Sequence, residues 1–299
     1  MISLFKINRN LSLCIFFFSL ICLAVFDSQL DSAIVIPLCF FLISTIGVSH
    51  GSLDHFKGYK ILKFYRIKNK SIFYLSYVLF SLLIIFLWII FPLITLSIFL
   101  IIASFHFGKE DSSFSKIQKR KFINIYFFLK GSLIIVAPLW INPDETKIIF
   151  EILSVQLHSF ENNIILTMII LSLLSNFFIT KNILISLIDS LSIIILNLTF
   201  TPLVAFTIYF CFLHSTRHSL TLMRELNNKN ISKGFNDFIK KVLPLTLVTA
   251  MLFLISVYFL TNYYVLDDAI LKVIFIGLAS LTFPHILLEY LLEKNEKRT

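Results

Sequence analysis

The chain has 299 residues, 58% of them hydrophobic and 14% charged, with a mean hydropathy of +0.89 and a formal net charge of +9. That balance excludes an ordinary soluble domain, and continuous apolar runs in place of period-two alternation exclude a membrane β-barrel. The positive charge falls in short loops between apolar runs, so it reads as membrane topology and not as a nucleic-acid-binding surface.

The expected fold class is all-α: residues 1–299 as one integral membrane domain, a polytopic helix bundle of about ten (eight to ten) transmembrane helices. The first span covers 11–26, after Lys6 and Arg9. Ala24-Val25-Phe26 offers no small-x-small cleavage site, so the segment reads as a retained helix and not as a signal peptide. The second span covers 32–55 and the third 72–91, with Pro92 marking a tight turn into the fourth, 93–107. The fifth covers 122–140. Residues 145–157 carry apolar side chains at helical spacing, as a helix lying in the membrane interface would. The sixth to tenth spans cover 164–179, 183–198, 202–223, 242–260 and 270–292.

Loop charge alternates along this scheme. Lys57, Lys60, Lys63, Arg66, Lys68 and Lys70 follow the second span, and Lys109, Lys116, Lys119, Arg120 and Lys121 the fourth. Arg224, Lys229, Lys233, Lys240 and Lys241 follow the eighth. The intervening loops hold Asp27, Asp31, Asp144, Glu145, Asp267 and Asp268. Both termini are therefore expected on the cytoplasmic side of the membrane. Cys14, Cys22, Cys39 and Cys211 all lie in apolar runs without a Cys-x-x-Cys pair, which indicates neither a disulfide framework nor a thiolate zinc site.

Six of the seven histidines belong to four motifs. His50 and His55 close the second span, His106 the fourth, His214 and His218 stand in the eighth with Arg217 between them, and His285 follows Pro284 in the tenth. A His-xxx-His pair places both imidazoles on one helix face, and ionisable groups at membrane depth are read as functional. All four helices run in the same direction in this scheme, so the six histidines share one depth, in the cytoplasmic third. Neutral imidazoles in apolar surroundings suit iron, zinc or copper. Asp54 is a candidate acceptor orienting an imidazole, and Glu289 is placed to pair with His285, four residues before it. Glu110 and Asp111 read as facing the cytoplasmic interface, and no carboxylate is an evident ligand. Asp189 and Lys130 lie within spans, either paired or with separate partners. His158 reads as a surface residue.

The ordered motifs His50-Gly-Ser-Leu-Asp54-His55, Phe105-His106-Phe-Gly108-Lys-Glu-Asp111, Phe212-Leu-His214-Ser-Thr-Arg217-His218 and Pro284-His285 resemble the Brp/Blh family of integral membrane β-carotene 15,15'-dioxygenases. The resemblance implies iron-dependent cleavage of β-carotene by O₂ at its central double bond, giving retinal, which a rhodopsin would then take up. It implies Fe(2+) ligands at His50, His106, His214 and His218 and a role in the reaction for Asp54. His55, Arg217 and His285 stand beside them as supporting groups without an assigned role. Its rivals are a membrane di-iron desaturase or hydroxylase, which would use more histidines in repeated boxes, and a metal or proton transporter working through Asp189 and Lys130. A retinal-binding receptor would need a Schiff-base lysine, for which Lys130 is the deep one.

β-Carotene has no polar group, so shape must select the bond that is cut. With histidines off the midplane, two equal cavity arms require a tunnel lying oblique or parallel to the membrane plane. That orientation is expected here.

Overall fold

The computed structural model describes residues 4–25, 32–112, 122–156, 162–180, 182–227 and 231–296; the side chain of His50 and the whole of His158 lie outside the described residues. The described residues form an all-helical bundle. Each expected span is met by helix: α1 Leu4–Val25, α2 Ser32–Leu42 continuing into α3 Asp54–Phe64, α4 Ser71–Ile90, α5 Pro92–Ser112 and α6 Ile123–Ile141. After the short α7, Pro143–Ile152, come α8 Asn162–Ile179, α9 Ile183–Thr199, α10 Pro202–Ile208 continuing into α11 Thr216–Leu226, α12 Ile231–Leu260 and α13 Leu266–Glu296. Among the described residues, 7 helices are long and apolar enough to cross a membrane. Helices α8 and α9 are shorter apolar helices, and the α10–α11 segment is interrupted. The apolar side chains that face outward, such as Ile89 at 75% exposure and Leu75 at 61%, give the bundle a lipid-facing surface.

Proline sets the turns at one end of the bundle. Pro92, Pro143 and Pro202 each occupy the first position of a helix, where a missing N–H costs nothing and the fixed φ is already helical. The amide of Asn142 donates to the carbonyls of Asn197 at 2.8 Å and Phe200 at 3.3 Å, fastening two of these turns together. Helices α5 and α10–α11 start at this end, so their histidines are carried to the opposite one. The α7 segment does not simply lie on the interface: Thr146 and Phe150 are buried against the bundle.

Glycines fix the depth at which α5 meets α6. A Cβ on Gly108 would stand 1.7 Å from the Phe127 carbonyl oxygen, and one on Gly131 1.8 Å from that of Ser104. Backbone thus rests on backbone, the small-residue contact that membrane helices use in place of a hydrophobic driving force. Gly131→Ala has no flexible neighbour to displace. It is expected to cost at least the ~1–3 kcal/mol typical of overpacking, read as a lower melting temperature of detergent-solubilised protein. An unchanged melting temperature would mean that the two backbones do not touch.

Among the described residues, two segments are wound wider than an α-helix, and His50–Leu53 between α2 and α3 is a tighter 3-10 turn. Residues Ile43–Gly47, ahead of the first histidine motif, and Tyr209–Ser215, which contains His214, are π-helical. They pack on each other: the Ser215 hydroxyl donates to the Gly47 carbonyl at 3.0 Å, and a Cβ at Gly47 would meet the Phe210 ring at 2.6 Å. Each extra residue per turn rotates the helix beyond it, and such segments concentrate at functional sites.

Candidate metal centre

Four histidines meet at the end of the bundle opposite the proline turns. The ring of His106, on α5, lies 5.4 Å from that of His214 and 5.3 Å from that of His285, and the His285 ring lies 5.8 Å from that of His218. All four residues are buried. They come from three elements separated widely in sequence: α5, the π-helical segment with α11, and α13.

Carboxylates hold three of these rings by Nδ1. His214 Nδ1 is 3.2 Å from Asp111 Oδ1, His218 Nδ1 is 2.9 Å from Glu110 Oε2, and His285 Nδ1 lies 2.8 and 2.9 Å from the two oxygens of Asp54. A carboxylate at Nδ1 fixes the proton there and directs the basic Nε2 the other way, the arrangement found behind metal-bound histidines. The Nε2 atoms of all three are buried. Glu289 lies between two groups of donors: one ligand atom each from His106, His285 and Glu289, or from Glu110, His218 and Glu289, falls within 4.8 Å of the others. Two imidazoles and one carboxylate make a donor set suited to a divalent transition metal with positions left open.

Glu110 and Asp111 therefore do not face the interface. Helix α5 runs on past Phe107 to Ser112, and Asp111, 6% exposed, also accepts from the Tyr209 hydroxyl at 2.6 Å. Lys57 neutralises Glu289 at 2.7 Å. Asp54 orients His285, on a different helix, and its Oδ2 accepts a further hydrogen bond from Tyr77 on α4 at 3.0 Å. Tyr77 is not visible as a functional residue in the sequence, because one tyrosine in an apolar span carries no pattern. Glu289 does approach His285, Oε1 to Nε2 at 3.6 Å. Lys130 and Asp189 have separate partners: Lys130 donates to the Ser186 hydroxyl at 3.2 Å, and both carboxylate oxygens of Asp189 accept from Arg217 Nη2. His55 stands apart from the four. Its Nδ1 is 3.0 Å from the Ser52 carbonyl oxygen, and its ring neighbours are Phe56, Tyr59 and Tyr74.

The cluster opens into a cavity of about 1020 Å³, walled mainly by apolar side chains, with His106, His214, His285 and Asp54 in its wall at the histidine end. The cavity follows α4, α12 and α13. Between His285 and Lys272, both in its wall, α13 rises about 20 Å. It runs along the helices, and the histidines stand toward one end of it and not at its middle, so the fold does not build the two equal arms that were expected. The reason is that α4 and α12 both lean on α13 and leave a lengthwise groove between them. Outward-facing Val78 and Leu82 on one side and Val248 and Leu252 on the other line this opening toward lipid.

Comparison with known proteins bears on what this site does. A family profile described as Beta-carotene 15,15'-dioxygenase matches residues 41–293. The chain is 28% identical over 273 residues to a protein named Beta-carotene 15,15'-dioxygenase from Uncultured marine bacterium 66A03, covering 86% of this chain and 94% of that relative. No solved structure matches the chain.

Proposed function

The chain belongs to the β-carotene 15,15'-dioxygenase family, and from that premise we propose that it cleaves β-carotene at the central double bond with O₂, using ferrous iron. One O₂ is consumed: the carbon–carbon double bond breaks, each carbon takes one oxygen atom, and two retinal molecules leave with no external reductant. The observation that carries the reading is the buried histidine cluster with its carboxylate partners, placed at the end of an apolar cavity open to lipid.

The residues fit the metal. His106, His214 and His218 would hold it together with His50, and His285 and Glu289 belong to the same group of donors. Imidazole nitrogen and carboxylate oxygen donors with open positions suit Fe(II) and O₂ chemistry. When bound, iron supplies O₂ activation next to the polyene.

The chain's own residues do the rest. Asp111, Glu110 and Asp54 keep the Nδ1 protons of His214, His218 and His285 in place, so each ring presents its lone pair inward. Arg217 and Lys57 balance the charge that these carboxylates bring into the membrane. Phe107 and Phe210 pack on the His214 ring at 4.7 and 5.9 Å and exclude water from that side. The groove between α4 and α12 admits a substrate that partitions into lipid without passing through water.

The inner, histidine-bearing end is assigned to the cytoplasm of a bacterial cell membrane, since the basic loops cluster there. Retinal released at that depth is available to a rhodopsin in the same bilayer. Expression in a β-carotene-producing bacterial host tests the function: the cells should lose colour and accumulate retinal. A coloured host with folded, iron-loaded protein in its membrane would rule the activity out.

Asp54→Asn keeps the shape of the side chain and weakens its acceptor. Loss of such a partner typically lowers metal affinity or turnover about 10–100-fold, and that is the expected result in iron titration and retinal formation. Unchanged values would mean that the hold of Asp54 on His285 does not serve the metal or the reaction.

A further inference from the structure

We propose that the far wall of the apolar cavity, built from Trp88, Leu153 and Lys272, is a steric stop that selects the bond to be cut. This rests on the proposed carotenoid cleavage and adds to it how the register is set. An unsubstituted carotene offers no hydrogen-bonding group, so only contact with a wall can fix how far it slides. Two equal arms about the histidines would do this, but the cavity has one long arm. It extends from His285 along about 20 Å of α13 and passes the histidines on the other side only as far as His55, Phe73 and Tyr74.

The outer end of the long arm is closed by bonded structure. The Trp88 indole N–H donates to the Leu153 carbonyl at 3.2 Å, and both residues are almost wholly buried, at 2% and 1% exposure. The Lys272 ammonium donates to the Ile152 carbonyl and to the Ser154 hydroxyl, and sits 4.6 Å from the centre of the Tyr264 ring. These links tie α4, the end of α7 and α13 into one wall. Along the side, by contrast, the cavity is bounded by the lipid-facing residues of α4 and α12.

β-Carotene is about as long as the hydrocarbon core is thick, about 30 Å. One half, about 15 Å, matches the roughly 16 Å that α4 rises from Tyr77, which bonds Asp54 beside the histidines, to Trp88, and the whole molecule is too long for that arm. One ring therefore rests against Trp88 and Leu153, the central bond lies at the histidines, and the second half leaves between α4 and α12 past Tyr74 and His55. The cleavage position is measured from the bound ring, and the symmetry of the substrate makes that position the centre.

Two substitutions move the wall in opposite directions. Trp88→Ala deepens the arm, and Ile276→Trp, half-buried in the cavity wall one turn of α13 inside Lys272, shortens it. Each is purified in detergent, checked for iron content against the unmodified protein, and given β-carotene; products are separated by length. In either variant retinal should fall from the sole carbonyl product to a minor one, replaced by a pair of unequal apocarotenals. Trp88→Phe, which keeps most of the bulk, should still give mainly retinal. Retinal as the only product of both Trp88→Ala and Ile276→Trp would overturn the stop. If Trp88→Ala fails to accumulate, Ile276→Trp alone decides in the same way. Failure of the underlying reading looks different: the unmodified, iron-loaded protein would then form no retinal at all.

Discussion

Replacing His214 and His218 together by Ala should leave the protein in the membrane without iron and without retinal formation. The two residues sit one helical turn apart, and both are anchored from behind: His214 by Asp111 at 3.2 Å and His218 by Glu110 at 2.9 Å. Losing a supporting carboxylate typically costs about 10–100-fold in metal affinity or activity, so losing the rings themselves should exceed that range. His106→Ala should act similarly, since its ring is central, 5.4 Å from His214 and 5.3 Å from His285. His285→Ala is informative in a different way. Its ring has an Asp54 partner like the others, and a large fall in iron content would make it a ligand in its own right. Iron per chain by elemental analysis, alongside retinal formation, separates loss of metal from loss of fold. His158→Ala, outside all four motifs, is the control. Full iron occupancy in the His214/His218 double variant would remove the proposed centre.

The helices are legible because membrane spans depend on composition and length, which a sequence states directly. Pro92, Pro143 and Pro202 mark turns for the same reason: the missing N–H is a local fact. The histidine motifs are legible one by one, and their shared depth follows from charge alternation. Their partners are harder to read. Glu110 and Asp111 look like an interfacial pair when α5 is ended at Phe107, and only its continuation to Ser112 turns them inward. A signal exists, since Glu110 follows His106 by four residues, as Glu289 follows His285, and both carboxylates enter the cluster. Asp54 does accept from an imidazole, as its place in the first motif suggests, but that ring belongs to α13, and no spacing rule reaches that far. The π-helical segments Ile43–Gly47 and Tyr209–Ser215 have no sequence signature, because they arise where packing favours a register shift over straight helix. The direction of the cavity is hidden for a similar reason. It depends on α4 and α12 leaving a gap over α13, which is a property of packing and not of any one span.

Arg217→Met is expected to destabilise the fold by about 3–5 kcal/mol, the usual cost of removing one partner of a buried ion pair. Arg217 is 1% exposed and is tied to two other helices: Nε donates to Asn8 at 2.7 Å, and Nη2 donates to Ser12 at 2.8 Å and to Asp189 at 2.8 and 2.9 Å. Its Nη1 lies 3.8 Å from Asp111, the carboxylate that holds His214. The one side chain thus ties α1 and α9 to the helix carrying the metal-site histidines, and it faces two acids in a region where water does not compensate them. Arg217→Lys should recover little, because an ammonium cannot reproduce the planar fork that serves Asn8, Ser12 and Asp189 together. Removing both members, Arg217→Met with Asp189→Leu, leaves no orphaned Asp189 charge and should restore more stability than either single change allows. It should not restore the site to the same extent, because Asp111 then lacks its guanidinium and His214 its fixed orientation. Melting temperature in detergent and iron content, measured on all four proteins, give the two readouts independently. If Arg217→Met melted with the parent, the arginine would be a passenger between the histidines. If the double variant recovered iron as fully as stability, its influence on His214 through Asp111 would be absent.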